Sequence, residues 1–174
     1  MNAEAKSNPT PAGAVHRALP GRKAPSLEGG GSDTQFATTG GRSIVLDTNI
    51  VLDLLVFNDA ASAPLKAALQ AGKLDWLATA PMRDELARVL TYPQIIPRLK
   101  FYQVSAEDVL NAFDSHVQIT PVPSKASVTC SDTDDQKFID LAVAHQALLL
   151  SKDQHVLSMQ KRLLAHGIRA QAAI

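Results

Sequence analysis

Cysteine is almost missing. Cys130 stands alone among 174 residues, so no internal disulfide can form and the disulfide-stapled class of small secreted domains is excluded. Long apolar runs are missing as well: nothing approaches the roughly 18 residues needed to span a bilayer. The first residues lack the apolar stretch of a secretory signal, and a soluble, cytoplasmic protein is expected. Surplus charge is a third absence. Seventeen basic residues cancel seventeen acidic ones, which removes the cationic surface that strong non-specific duplex binding draws on. The five histidines, at 16, 116, 145, 155 and 166, show no paired ligand spacing and there is no second cysteine, so a zinc site is not expected. No Walker-type glycine loop and no nucleophile-elbow serine occurs.

What is present divides at about residue 41. Residues 1–41 are rich in Pro, Gly, Ser, Ala and Thr and carry no apolar periodicity. Such a segment buries too little apolar surface to offset its ordering entropy. It reads as a disordered tail, with a short helix around Ala14 to Leu19 as its one candidate element. Up to Arg42 there are five basic and three acidic residues, leaving twelve basic and fourteen acidic beyond it. A nucleic-acid substrate would therefore have to be held partly through bound metal ions or through a local basic patch.

Residues 42–174 are long enough for one domain with a proper core. Strand patterns at Ser43 to Leu46, Asp75 to Thr79, Gln118 to Pro121, Ala147 to Ser151 and Ile168 to Ala170 alternate with helical ones. The helices are expected over Asn49 to Phe57, Ala61 to Ala71, Pro81 to Thr91, Ser105 to Val117, Asp134 to Gln146 and Val156 to His166, with a short helix or turn in Pro93 to Tyr102. The first carries an apolar stripe at 50, 51, 54 and 55, and Gly72 and Gly167 are placed to end helices. This alternation predicts a three-layer α/β/α sandwich around a parallel sheet of four to five strands.

Four carboxylates stand out against that scaffold. Asp47 follows the run Ile44-Val45-Leu46 and precedes a helix, the turn at which open α/β sheets bind ligands. Helix capping is the bland alternative, but Asn49 is better placed for it. Glu85 edges the apolar face formed by Met82, Leu86, Val89 and Leu90, where Arg88 is the ordinary surface partner. In Asp132-Thr133-Asp134-Asp135-Gln136, a Thr133–Gln136 capping box and the helix dipole account for one or two acidic residues, not three. Asp135 projects toward the core side, with Asp132 and Asp134 as caps or outer groups. Asp153, two residues after Ser151, repeats the geometry of Asp47 past a second buried strand; a plain turn aspartate is its alternative.

These segments resemble PIN-domain proteins, in particular the VapC-like ribonucleases that act as toxins of bacterial toxin–antitoxin pairs. The resemblance rests on Val45-Leu46-Asp47-Thr48-Asn49-Ile50-Val51-Leu52, on Met82-Arg83-Asp84-Glu85-Leu86 with Arg88-Val89-Leu90, on Cys130-Ser131-Asp132-Thr133-Asp134-Asp135-Gln136-Lys137-Phe138-Ile139-Asp140-Leu141-Ala142, and on Leu149-Leu150-Ser151-Lys152-Asp153. It implies metal-binding, catalytic carboxylates at Asp47, Glu85, Asp135 and Asp153, supported by Asn49, Thr48, Ser151 and Asp132. It further implies one or two Mg²⁺ or Mn²⁺ ions, a single-stranded RNA substrate and an antitoxin partner. Ser131 and Thr133 replace the Arg and Pro often found at the head of the third segment, removing a possible phosphate-contacting arginine. Lys137, Lys152 and Lys161 are candidate phosphate contacts, each with solvated surface lysine as the ordinary alternative.

Two other classes compete. A non-catalytic PIN-like module binding RNA or protein would tolerate the missing arginine, although all four acidic positions are retained. A phosphate-accepting receiver domain wants an acidic pair after its first strand and a late lysine, and Asp47-Thr48-Asn49 with Asp153 fits that poorly. Apolar residues in Ile95-Ile96-Pro97 and at Val51, Leu52 and Leu55 point to a symmetric homodimer.

Overall fold

The structure, a computed structural model, describes residues 42–174; the tail and the Ala14 to Leu19 helix expected above lie outside the described residues. Within 42–174 the apolar runs Ile44-Val45-Leu46 and Leu148-Leu149-Leu150 lie in strands at the centre of the sheet. Strand β1 spans Arg42–Leu46, β2 Leu74–Ala78, β3 Val117–Ile119, β4 Leu148–Leu150 and β5 Ala170–Gln171. They pair in parallel throughout, in the order β3-β2-β1-β4-β5. The central strands are apolar on both faces because both are covered: Ile44, Val45, Leu46, Leu149 and Leu150 are all buried.

Eight helices connect them: α1 (Thr48–Leu52), α2 (Ala63–Gln70), α3 (Ala80–Val89), α4 (Ile96–Phe101), α5 (Ala106–His116), α6 (Gln136–His145), α7 (Gln154–Leu157) and α8 (Gln160–Leu164). From β1 the chain steps through β2 to β3, then crosses back to β4 and β5 on the other side of β1. Right-handed crossovers therefore put α1 to α5 on one face and α6 to α8 on the other. The expected three-layer α/β/α arrangement with a five-stranded parallel sheet is what the structure has. The strand order reverses between β1 and β4, and in open α/β sheets the carboxyl ends of the strands at such a switch point are where ligands bind.

Local chemistry sets the ends of the elements. Pro81 lies in the first turn of α3, where its missing N–H is no loss. Ser105 caps α5 and Asp108 reaches back to it, a reciprocal capping box. Gly72 ends α2 and Gly167 follows α8, both at positive φ (66° and 79°), and a Cβ on Gly167 would come within 2.8 Å of the Gln146 side chain.

Two expectations are corrected. The first helix does not run evenly from Asn49 to Phe57: α1 widens into a π-type turn over Asp53–Phe57. The extra residue in that turn rotates the stripe, so Val56 is buried where Leu55 was expected. The last helix is two, because the Ser158 hydroxyl bonds the His155 carbonyl and Met159 N–H turns to Val156, diverting the i to i−4 ladder. Of the apolar residues that suggested a homodimer, Val51, Leu52 and Ile95 are buried in this chain's own core, Leu55 is half-buried, and Ile96 and Pro97 are exposed.

Candidate active site

The crevice between β1 and β4 is built outward from Asp47. Its backbone N–H donates to the Leu150 carbonyl at 2.9 Å, extending the β1–β4 pairing by one residue. The side chain is only 3% exposed, and the Ser151 hydroxyl donates to its Oδ2 at 2.6 Å. Ser151 is fully buried and also accepts from the Asp153 N–H at 3.0 Å, so one hydroxyl joins the ends of both strands. Burial pushes the Asp47 carboxyl above its ordinary range. The Ser151 bond and the nearby amides of Thr48 and Asn49 oppose that, and the charge of Asp153 adds to it.

Asp47, not Asn49, takes the capping position of α1, with extended backbone and no aligned capping bond from its side chain. Asn49 lies inside the first turn and is exposed, so the capping role expected for it is overturned: the cap sits two residues earlier, at Asp47.

Asp135, at the head of α6, feels the same crowd. Burial and then the charges of Asp47, Asp153 and Asp132 raise its carboxyl to about 6, with Lys137 partly offsetting them. Its Oδ2 is buried and accepts no hydrogen bond. Asp153 begins α7 and accepts the His155 N–H at 2.7 Å, so the turn role is real, yet its charge still reaches Asp47 and Asp135. Asp132 Oδ1 accepts the Asp134 N–H at 2.8 Å in a local turn. The exposed Ser131 hydroxyl sits 2.9 Å from His155 Nδ1.

Glu85 joins from α3. Thr48 Oγ1 donates to its Oε1 at 3.2 Å, and its Oε2 is met by the ammonium of Lys137 on α6. That contact is an ion pair without aligned hydrogen-bond geometry, since Oε2 is buried with no hydrogen-bond partner. The cation was expected to be Arg88, one turn along the same helix; it comes from the opposite layer instead. Lys152 pairs with Asp53 at 2.6 Å and Asp59 at 3.2 Å, and so turns toward α1 and its π-type extension. Among the described residues, no three acidic, histidine or cysteine side chains stand as a ready metal-ligand cluster. Asp47, Asp135 and Asp153 interact electrostatically, whereas Glu85 is tied to Thr48 and Lys137.

Gln136 was misread. In place of a Thr133–Gln136 capping box, its side chain points inward, 9% exposed, accepting Cys130 N–H at 2.7 Å and donating to Val128 O at 3.0 Å and Asp140 Oδ1 at 2.6 Å. Asp140 Oδ1 also accepts the Ala126 N–H at 2.8 Å. This network fastens the irregular segment 126–130 to α6 and so fixes where Asp135 begins the helix. The four-residue spacing of Gln136 and Asp140 was the available signal.

A PIN-domain family profile matches residues 43–155. No curated protein matches the sequence. Among solved structures, the chain is similar to one in the crystal structure of VapBC2 from Rickettsia felis bound to a DNA fragment from their promoter. The TM-score is 0.52 at 13% identity, covering 74% of this chain and 98% of that one. At so low an identity the likeness speaks for the fold alone.

Proposed function

This chain belongs to the PIN-domain family of nucleases, and from that premise we propose that it is a metal-dependent endoribonuclease cutting single-stranded RNA, with an antitoxin as partner. The observation that carries the reading is the crowding at Asp135. A carboxyl raised to about 6 by burial and by Asp47, Asp153 and Asp132, with one oxygen buried and without a hydrogen bond, is a crowd of negative charge that a dication would relieve. The toxin–antitoxin part of the proposal is supported by the resemblance of the Val45–Leu52 and Cys130–Ala142 segments to VapC-like ribonucleases.

The donors fit a hard divalent cation. Asp47, Glu85, Asp135 and Asp153 offer carboxylate oxygen only, which suits Mg²⁺ or Mn²⁺ and no softer metal. Asp135 Oδ2 is buried without a hydrogen bond, and Glu85 Oε2 meets only the Lys137 ammonium, so a cation would find one oxygen open and one held by an ion pair. When bound, such an ion acidifies a water and stabilises the leaving oxygen of a phosphodiester.

The chain's own residues prepare that chemistry. Ser151 fixes the Asp47 carboxylate in one orientation and holds the turn that carries Asp153. Thr48 aims Glu85 across from α3. Gln136, through segment 126–130, sets the start of α6 and hence the position of Asp135. Asn49, exposed in the first turn of α1, is free of the capping duty and can serve as a polar contact at the mouth of the crevice. With Ser131 at the expected arginine position, phosphate contact falls to other groups.

Cleavage of a labelled single-stranded RNA in Mg²⁺, Mn²⁺ or EDTA tests the proposal, beside Asp47→Asn and Asp135→Asn. Metal-dependent cutting that falls by about 100-fold in both variants is expected, the scale on which losing one directly acting group is felt. Equal inertness of wild type and variants, with Mn²⁺ still raising the wild-type melting temperature, would favour an ion-binding module without catalysis.

A further inference from the structure

Lys137 is a half-buried lysine with three commitments. Its side chain is 26% exposed. The ammonium pairs with Glu85 Oε2, donates to the Asp134 carbonyl and lies 4.8 Å from the centre of the Phe138 ring. The ammonium thus lies over an aromatic face and is delivered toward acidic groups rather than out to water. Its charge also eases the repulsion at Asp135. Lys152, the other lysine at this end of the sheet, is drawn off by Asp53 and Asp59. Lys137 is therefore the ammonium placed against the acidic set, and with Thr48 it engages both oxygens of Glu85.

We propose that Lys137 is a tethered counter-ion that holds Glu85 while the site is ion-free and competes with the divalent cation for it. The inference rests on the metal-site reading above and adds a control to it: Glu85 becomes a ligand only when the ammonium leaves. A single ammonium, on the helix that begins after Asp135, limits the mutual repulsion of Asp47, Asp135, Asp153 and Glu85. It also weakens ion binding, because the incoming cation must displace an ion pair already made.

The test is Mn²⁺ binding to the full chain by calorimetry, comparing wild type with Lys137→Met, Lys137→Arg and Asp135→Asn. Methionine keeps the apolar stem and removes the charge. About tenfold tighter binding is expected for Lys137→Met, the lower end of what groups touching metal ligands contribute. Lys137→Arg keeps the competing charge and should bind as wild type does. In wild type, the Lys137 Nζ resonance should shift on titration with Mg²⁺ as the ammonium leaves Glu85. If Lys137→Met binds Mn²⁺ no more tightly than wild type while Asp135→Asn abolishes binding, the metal site stands and the counter-ion is overturned. If neither wild type nor Lys137→Met binds Mn²⁺, the metal reading falls and takes this inference with it. An unmoved Nζ resonance in a protein that does bind Mg²⁺ overturns the displacement directly, without any variant.

Discussion

Asp135 and Gln136 are neighbours at the start of one helix and differ in almost every respect that matters to a buried polar group. Gln136 uses both amide hydrogens and its oxygen on three partners, Cys130, Val128 and Asp140. Asp135 has an oxygen buried with no hydrogen-bond partner, and its carboxyl is pushed to about 6 by burial and by three other acids. One residue closes a network and the next leaves one open. Since a satisfied buried network adds rigidity and an unsatisfied one costs free energy, the two should answer mutation with opposite signs. The contrast also separates two roles along 126–137: Gln136 fixes the segment, and Asp135 holds charge in reserve.

Breaking the closed side should have the largest effect on stability. Gln136→Leu keeps the volume but strands the buried Cys130 N–H and Val128 carbonyl and removes a donor from Asp140. Two or three lost partners of this kind cost about 3 kcal/mol. Urea unfolding in EDTA should show that loss, and the same loss should persist in Mn²⁺, because these bonds are not the ones a cation would replace. A variant as stable as wild type would mean that segment 126–130 is held by Val128 and Cys130 packing alone.

The positions of these residues were unequally legible in the sequence. Ile44-Val45-Leu46 and Leu148-Leu149-Leu150 announce doubly covered parallel strands because every residue is apolar, and each run stops just before its polar turn. Asp47 and Asp153 could therefore be assigned to the carboxyl ends of the sheet, and Ser151 with them. Periodicity likewise separated Glu85 from the exposed Asp84. The Lys137–Glu85 pair could not be read this way, because it joins helices of opposite layers, and no local spacing encodes which faces meet at the crevice. Gln136 was hidden for a related reason. Its partners lie in 126–130, which has no repeating pattern, so a local capping box looked sufficient. The cap of α1 was misassigned because Asp and Asn two residues apart are equally good caps, and only the Leu150 carbonyl bond to Asp47 decides where the strand ends.

Sharpening the open side gives a smaller effect of the other sign. Asp135→Asn removes a charge that Asp47, Asp153 and Asp132 repel and supplies an amide in its place. In EDTA this variant should be more stable than wild type by about 1 kcal/mol, the repulsion being discounted for a group that water partly screens. In Mn²⁺ the order should reverse, since wild type gains a ligand-bound state and the variant does not. A variant less stable than wild type in EDTA would show that the carboxylate of Asp135 is better satisfied than its buried oxygen suggests.

The smallest effect, and the most diagnostic, is in the pH dependence of the ion-free protein. With its folded pKa raised to about 6, against roughly 3.9 for an unfolded aspartate, Asp135 keeps a proton in the native state that the unfolded chain has released. Its contribution is favourable below about pH 4 and is lost as pH rises through about 6. Burial raises Asp47 in the same direction, whereas Asp59 and Asp108, lowered by their hydrogen bonds, contribute stability that is lost only as the pH falls through their depressed values. Between pH 5 and 7 the curves of wild type and Asp135→Asn in EDTA should therefore diverge by about 0.5 kcal/mol, wild type losing stability as pH rises. Saturating Mn²⁺ should invert that slope, because a cation competes with the same proton and is held more firmly as pH rises. Parallel curves in EDTA would place the crowded charge elsewhere than at Asp135, and a slope unchanged by Mn²⁺ would mean that the cation, if bound, is not bound there.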